Sequence, residues 1–389
     1  MAYIETTEVQ NPNWLSRMGS SIKGVLVGAV LFLVAFPILF WNEGRAVKTA
    51  KGLSEGASAV VDIGIDAVDA TNEGRLVHVS GRAETDETLS DETFGVAATA
   101  LRLNRSVEIY QWVEHKDVKR EKKGDKTIET TTYTYKTEWC GQPVDSSGFK
   151  ESGHDNPPVA MPFSSQEQVA KDVKLGAFRL TERHVKKIGG AKPFPFPQDF
   201  RLPATLPGGQ YLNGDIFIAS SLATNDVRQV ATNPQIGDLR IRFSMVEPHD
   251  ISLCEKQTGD TFSPWTASNG KTFSLQEDGI VDAAAMFASA QRANKLMTWV
   301  LRLIGFVVML VGVRMILAPF SVLVDVIPVV RTIVSMGVGL IAFLVAAIGS
   351  LLVVAVAWFF FRPILSIALI VLAAACIVGL IMLKKKKAA

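Results

Sequence analysis

The sequence predicts a membrane protein with four transmembrane helices, one N-terminal and three C-terminal, and a large α+β, β-rich exoplasmic domain. Three observations predict it. The chain has 389 residues, 48% of them hydrophobic, and the apolar residues are gathered into four long runs. Between the first and second runs lie about 250 residues with no stretch of the roughly 20 apolar residues that a span requires. Four lysines, Lys384–Lys387, abut the last run, and basic residues stay on the cytoplasmic side.

Residues 1–22 read as a short cytoplasmic N-terminus. The first span, 23–42, is built on the uncharged run "GVLVGAVLFLVAFPILFW". It exceeds the h-region of a cleaved signal peptide and ends in "FWNEGR", with an aromatic at the interface, so it is read as an anchor. Residues 43–295 form the water-facing domain. The second span, 296–317, carries only arginines as charges. Residues 318–331, "APFSVLVDVIPVVR", are apolar but broken by two prolines and Asp325, and read as an interfacial cytoplasmic segment. The third and fourth spans are 332–361 and 363–383, and 384–389 is a basic cytoplasmic tail. An even number of spans returns both termini to one side and places the domain in a periplasm or lumen.

Within the domain the period changes from helical to alternating. "AVKTAKGLSEG" reads as a short helix or loop after the span. "RLVHVSGRA" and "SVEIYQWVE" alternate, and "TIETTTYTYKTEW" is β-branched and aromatic. Two of these runs flank the polar stretch "HKDVKREKKGDK" and predict a long β-hairpin with its tip at Lys123–Gly124–Asp125. Tyr133, Tyr135 and Trp139 then share one face, read as a half-buried sheet face. "IGDLRIRFSMVEP" and "ISLCEKQTG" are further strands. "DAAAMFASAQRANKLMTWV" predicts one helix running from the domain into the second span without a break.

Ten of the 40 basic and three of the 38 acidic residues lie outside the domain, leaving 30 and 35 within it. A net charge of about −5 argues against nucleic acid as a partner. No G-x-S-x-G, H-E-x-x-H, P-loop or dinucleotide-binding fingerprint occurs, and the cysteines lack zinc spacing. No catalytic, cofactor-binding or metal residues are therefore nominated. His154–Asp155 and His249–Asp250 are sequence neighbours, read as polar turn residues. Cys140 and Cys254 share the exported domain, where disulfides form, and are a candidate bridge. Arg302, about 9 Å inside the second span at 1.5 Å per residue, is an intramembrane charge. Such a residue is either functional or snorkels to the interface. Gly24-x-x-x-Gly28 and Ala375-x-x-x-Gly379 are small-residue pairs that let helices approach closely.

"NEGR" occurs twice, at Asn42–Glu43–Gly44–Arg45 and at Asn72–Glu73–Gly74–Arg75. The first reads as a helix exit with Gly44 as the stop, the second as a turn launching a strand. A pairing of either glutamate with a neighbouring arginine is expected to be exposed and weak. Both copies are read as structural, seating the domain against the membrane.

"NEGRAVKTAKGLSEG", "NEGRLVHVSG", "VEIYQWVE", "YTYKTEW", "GHDNP" and "IGDLRIRFS", in that order, resemble the transmembrane protein 43 (LUMA) family from about residue 20 onward. Cys140 stands where a basic residue is expected. The resemblance implies a protein without enzymatic activity. In animals the family lies in the endoplasmic reticulum and inner nuclear membrane and is linked to nuclear-envelope organisation, with lamin and emerin as partners. Bacterial relatives would place it in an inner membrane, with an undefined envelope role. The leading reading is a non-enzymatic membrane organiser or scaffold without cofactors. Its expected partners are the lipid bilayer, further copies in a homo-oligomer and other membrane or envelope proteins. The alternative is a membrane-bound hydrolase or modifying enzyme acting on envelope or lumenal substrates, and a transporter is disfavoured by the lack of polar spans.

Overall fold

The structure is a computed structural model that describes residues 3–10, 14–123, 126–157, 161–206, 209–220, 227–323, 328–368 and 371. Three long helices dominate one end: α1 (Trp14–Ala59), α2 (Ala283–Leu323) and α3 (Pro328–Phe361). Each contains a stretch long and apolar enough to cross a membrane. Residues 363–368 are helical, and the remainder of the expected fourth span lies outside the described residues, as do Lys384–Lys387 and the hairpin tip at Gly124–Asp125.

One boundary differs from the sequence reading. α1 does not stop at Gly44 but continues for fifteen more residues, to Ala59. Gly44 is a helical residue whose missing side chain admits Phe361: a Cβ there would stand 2.7 Å from that ring. Of the expected interfacial segment 318–331, residues 318–323 belong to α2 and 328–331 to α3, and 324–327 lie outside the described residues. α2 runs through Pro319 to Leu323, and α3 is described from Pro328 onward. The continuous helix from domain to second span is present as α2.

α1 and α2 pack along most of their length. Gly28 and Gly312 face each other so closely that a Cβ on Gly28 would stand 2.7 Å from the Gly312 carbonyl oxygen. Gly24-x-x-x-Gly28 thus contributes to packing within the chain, and Gly24 itself lies against Met315. Ala375 and Gly379 lie outside the described residues.

The domain is built from β1 (Leu76–Glu84), β2 (Arg102–Lys123), β3 (Lys126–Cys140), β4 (Asp215–Ile218), β5 (Leu239–Val246), β6 (His249–Thr258), β7 (Trp265–Thr266), β8 (Thr272–Phe273) and β9 (Leu275–Asp278). One sheet runs β3-β2-β5-β4, and a second centres on β1 and β6, with β9 on the far side of β6. β2 and β3 form the long hairpin, in register from Ile109↔Cys140 to Lys123↔Lys126. Alternation places Leu239, Ile241 and Phe243 of β5 inward. They join Val77 and Val79 of β1, Val107 of β2 and Ile251 of β6 in one buried core between the sheets.

A smaller core joins this domain to the helices. Leu53 of α1, Leu76 of β1, Cys254 of β6 and Ala283, Met286 and Phe287 of α2 are buried together. The β7–β8 hairpin lies along α1: the Ser268 backbone N–H and hydroxyl donate to Glu55, and the Asn269 side-chain amide donates to the Lys48 carbonyl. The helices leaving the apolar layer are therefore part of the domain.

The strand Tyr3–Gln10 pairs with Thr127–Thr134 of β3. These segments flank the uncharged run of α1, and the hairpin carries "HKDVKREKK", which cannot enter hydrocarbon at acceptable cost. A bilayer-spanning α1 sets the two segments on opposite sides, so this pairing and a spanning α1 exclude each other.

Candidate functional site: a buried polar layer at the membrane edge

The first NEGR copy sits between helices. Glu43 is fully buried, and Arg302 of α2 grips it with two bonds, Nε to Oε1 at 2.6 Å and Nη2 to Oε2 at 3.0 Å. The Trp358 indole N–H of α3 donates to Oε2 at 2.8 Å. The Arg302 guanidinium lies 4.7 Å from the Trp299 ring centre and 5.8 Å from that of Trp358. A lone charge in this position would be expensive, whereas a two-bond pair to which an indole N–H adds a third bond is tolerated. Arg302 does not snorkel free: it is an ion-pair partner of Glu43. The expectation of a weak exposed pair at the first motif is overturned, because α1 continues straight and packs Glu43 inward.

One turn further out the layer continues. The Asn42 amide donates to the Thr298 carbonyl, and the Asn294 amide donates to the Ala46 carbonyl, each at 3.0 Å. Arg45 donates to Asn294 Oδ1, Asn42 Oδ1 and Thr298 Oγ1 at 3.2–3.3 Å. Asn294, Thr298 and Arg302 recur at four-residue spacing, one face of a helix. That period was the legible signal of this face, and the sequence reading missed Asn294, Thr298 and Trp358. Trp41 and Trp299 are mostly exposed at the same level, as interfacial tryptophans are.

The second copy is a turn, as expected. Asn72 ends a short 3-10 helix, and Gly74 has φ +77°. The Gly74 N–H donates to the Gln257 carbonyl and the Gln257 N–H to the Arg75 carbonyl, which launches β1 beside β6. Glu73 accepts from the Gly259 N–H at 2.7 Å and so caps a neighbouring turn. In both copies the arginine donates to the asparagine three residues earlier at 3.2 Å. The copies share this internal bond in different backbones and do not form one site.

Cys140 and Cys254 are free thiols in different sheets. Cys254 is buried with its Sγ 3.6 Å from Met286 Sδ, so the candidate bridge is not made. His154 is no plain turn residue: it stacks on Tyr135 at 4.3 Å and meets Trp112 edge-on at 4.5 Å. Asn156, two residues on, accepts from the Trp112 N–H and donates to its carbonyl. The motifs "VEIYQWVE", "YTYKTEW" and "GHDNP" thus converge at the hairpin. There, burial and the Glu114 carboxylate push the Tyr135 hydroxyl up to about 12. His249 bonds the Glu247 carbonyl and faces Asp278 rather than Asp250.

Two polar clusters in the domain were not nominated. Glu255 is buried and accepts from Arg183 and from Ser274, with His184 Nε2 3.2 Å away. His78 Nδ1 lies 2.5 Å from Asp62, and its Nε2 lies 3.2 Å from Ser80 Oγ but 2.9 Å from the Val281 carbonyl. A ring N–H donating to Val281 is not free to accept the serine proton, so a Ser–His–Asp base is not assembled. Among the described residues no cluster suits a metal ion.

These features define an integral membrane protein whose one large domain is fused to its first two spans through a buried polar layer. The family model "Transmembrane protein 43" matches residues 109–363. The chain is 35% identical to transmembrane protein 43 of Rattus norvegicus and 34% to that of Homo sapiens, over 93% of this chain and 90% of each relative. It is 30% identical to the Drosophila melanogaster homolog, over 89% of this chain and 90% of that one. The chain belongs to the transmembrane protein 43 family. No solved structure matches it.

Proposed function

We propose that this protein is a non-enzymatic organiser of the membrane it spans, presenting its domain on the exoplasmic side as a rigid platform for other envelope proteins and for further copies of itself. One observation carries the reading. α1 and α2 pass without interruption from their apolar stretches into the domain, joined by Glu43–Arg302 and the Asn42, Arg45, Asn294, Thr298 layer. A domain held this way cannot swing on a linker, so its orientation follows that of the helices. Relatives bear only the name of a transmembrane protein, which supports a membrane role without naming a chemistry. Nuclear-envelope organisation, in members from nucleated cells, follows from the family resemblance.

The enzymatic alternative has one observation in its favour, the Asp62–His78–Ser80 alignment, and the Val281 carbonyl counts against it. Crosslinking in native membranes followed by pull-down tests the proposal. Recovery of a second copy and of discrete envelope partners is expected, unchanged by Ser80→Ala. A chain that crosslinks to nothing, or a Ser80-dependent hydrolysis, would overturn it.

A further inference from the structure

Just outside the polar layer, α1, α3 and the β7–β8 hairpin line an open, cleft-like chamber of about 720 Å³. Arg45, Lys48, Lys51 and Lys271 line it, and no carboxylate does. Among the described residues the three lysines make no ion pair. The acids that flank these residues along α1 are engaged elsewhere, Glu43 with Arg302 and Glu55 with Ser268. Three lysines without a carboxylate beside them, gathered round one cleft, point to an anionic ligand.

The membrane side of the chamber is aromatic, lined by Phe40, Trp41 and Phe360. Trp41 and Phe360 are 61% and 65% exposed, where lipid would lie. Phe40 also lines a second, apolar groove of about 370 Å³. This groove lies deeper, between Phe36 and Pro37 of α1 and Leu352, Val353 and Val356 of α3. Lys48 is seven residues beyond Trp41, about 10 Å along the helix, which is headgroup height above a hydrocarbon layer.

We propose that the chamber binds the phosphate headgroup of an anionic phospholipid from the leaflet facing the domain, with one acyl chain lying in the α1–α3 groove. Cations between helices at this height recognise such headgroups. A free anion would gain nothing from the groove, and a neutral lipid would gain little from the lysines.

The test is native mass spectrometry of the purified full-length chain with phosphatidylglycerol or phosphatidylcholine added at equal ratios. One phosphatidylglycerol above background is expected. Its apparent affinity should fall about tenfold or more in Lys48→Gln/Lys51→Gln/Lys271→Gln, with the thermal midpoint unchanged because these lysines make no ion pair among the described residues. Val356→Trp, which fills the groove from an exposed position, should also lower it. The proposal fails if the triple variant binds as the parent does or if the two lipids bind alike. It also fails if millimolar inorganic phosphate displaces the lipid while Val356→Trp has no effect, since the chamber would then be reading a free anion.

Discussion

Glu43 Oε2 is shared between Arg302 Nη2 at 3.0 Å and the Trp358 indole nitrogen at 2.8 Å. One carboxylate therefore binds all three long helices together at the level where they leave the apolar layer. The same three residues explain why a motif that resembles a surface turn in its second copy is buried in its first.

The α1–α2 crossing depends on absent side chains. A Cβ on Gly28 would stand 2.7 Å from the Gly312 carbonyl oxygen, and one on Gly312 would stand 2.7 Å from the Phe32 backbone nitrogen. Backbone cannot yield as a side-chain tip can. Gly28→Ala and Gly312→Ala should each destabilise by about 1–3 kcal/mol despite alanine's better helix propensity. Gly339, with nothing within 4 Å, should accept alanine at no cost. Thermal midpoints of the three variants in one detergent check this, and equal effects would contradict it.

The two NEGR glycines serve different ends. Gly74 has φ +77° and open space around it, so Gly74→Ala should cost about 1 kcal/mol or more through backbone strain alone. Gly44 is helical and faces the tip of the Phe361 ring, so Gly44→Ala should be rescued by Phe361→Leu, whereas Gly74→Ala should not. Unfolding of the single and double variants distinguishes the cases.

What was legible in the sequence follows from local physics. The first three apolar runs, the "SVEIYQWVE" and "TYTYKTEW" strands and the continuous α2 helix depend on period and composition, and each appears where expected. Gly44 misled because glycine ends helices in water, and nothing local reveals that Phe361, more than 300 residues later, fills the space beside it. The Glu43 partner was hidden for the same reason. Arg302 advertised itself as a charge within a span, but which carboxylate meets it depends on helix packing. Asn294 and Thr298 repeat with Arg302 at four-residue spacing, a pattern easily lost in an alanine-rich helix.

Acid should loosen the domain through Glu255. Burial pushes its carboxyl up, but hydrogen bonds from His184, Arg183 and Ser274 more than offset this and hold it at about 2, against an ordinary 4.5. A depressed value stabilises the fold above pH 4.5, and that contribution is lost as pH falls from about 4.5 to about 2. The loss amounts to about 3 kcal/mol. Denaturant unfolding across that window should show a shallower acid limb in Glu255→Gln than in the parent. Identical limbs would contradict the assignment.

The thiols should behave as free and unequal. Burial, reinforced by Asp62, Glu277 and Glu255, pushes Cys254 up to about 12, which leaves almost no thiolate at neutral pH. Maleimide should leave Cys254 unmodified in the folded protein and label both Cys140 and Cys254 after denaturation without reductant. A Cys140–Cys254 crosslinked peptide would contradict the structure.

The central claim is that Glu43 and Arg302 lock the domain to the helices as a pair. A double-mutant cycle on Glu43→Gln and Arg302→Met, read as unfolding free energy in detergent, tests it most directly. Each single variant strands a buried group and should cost about 3–5 kcal/mol. The double variant should cost less than the sum of the singles by about 1–3 kcal/mol, because neither charge is left alone. Strictly additive losses would mean that the two residues act independently, and the lock would not exist.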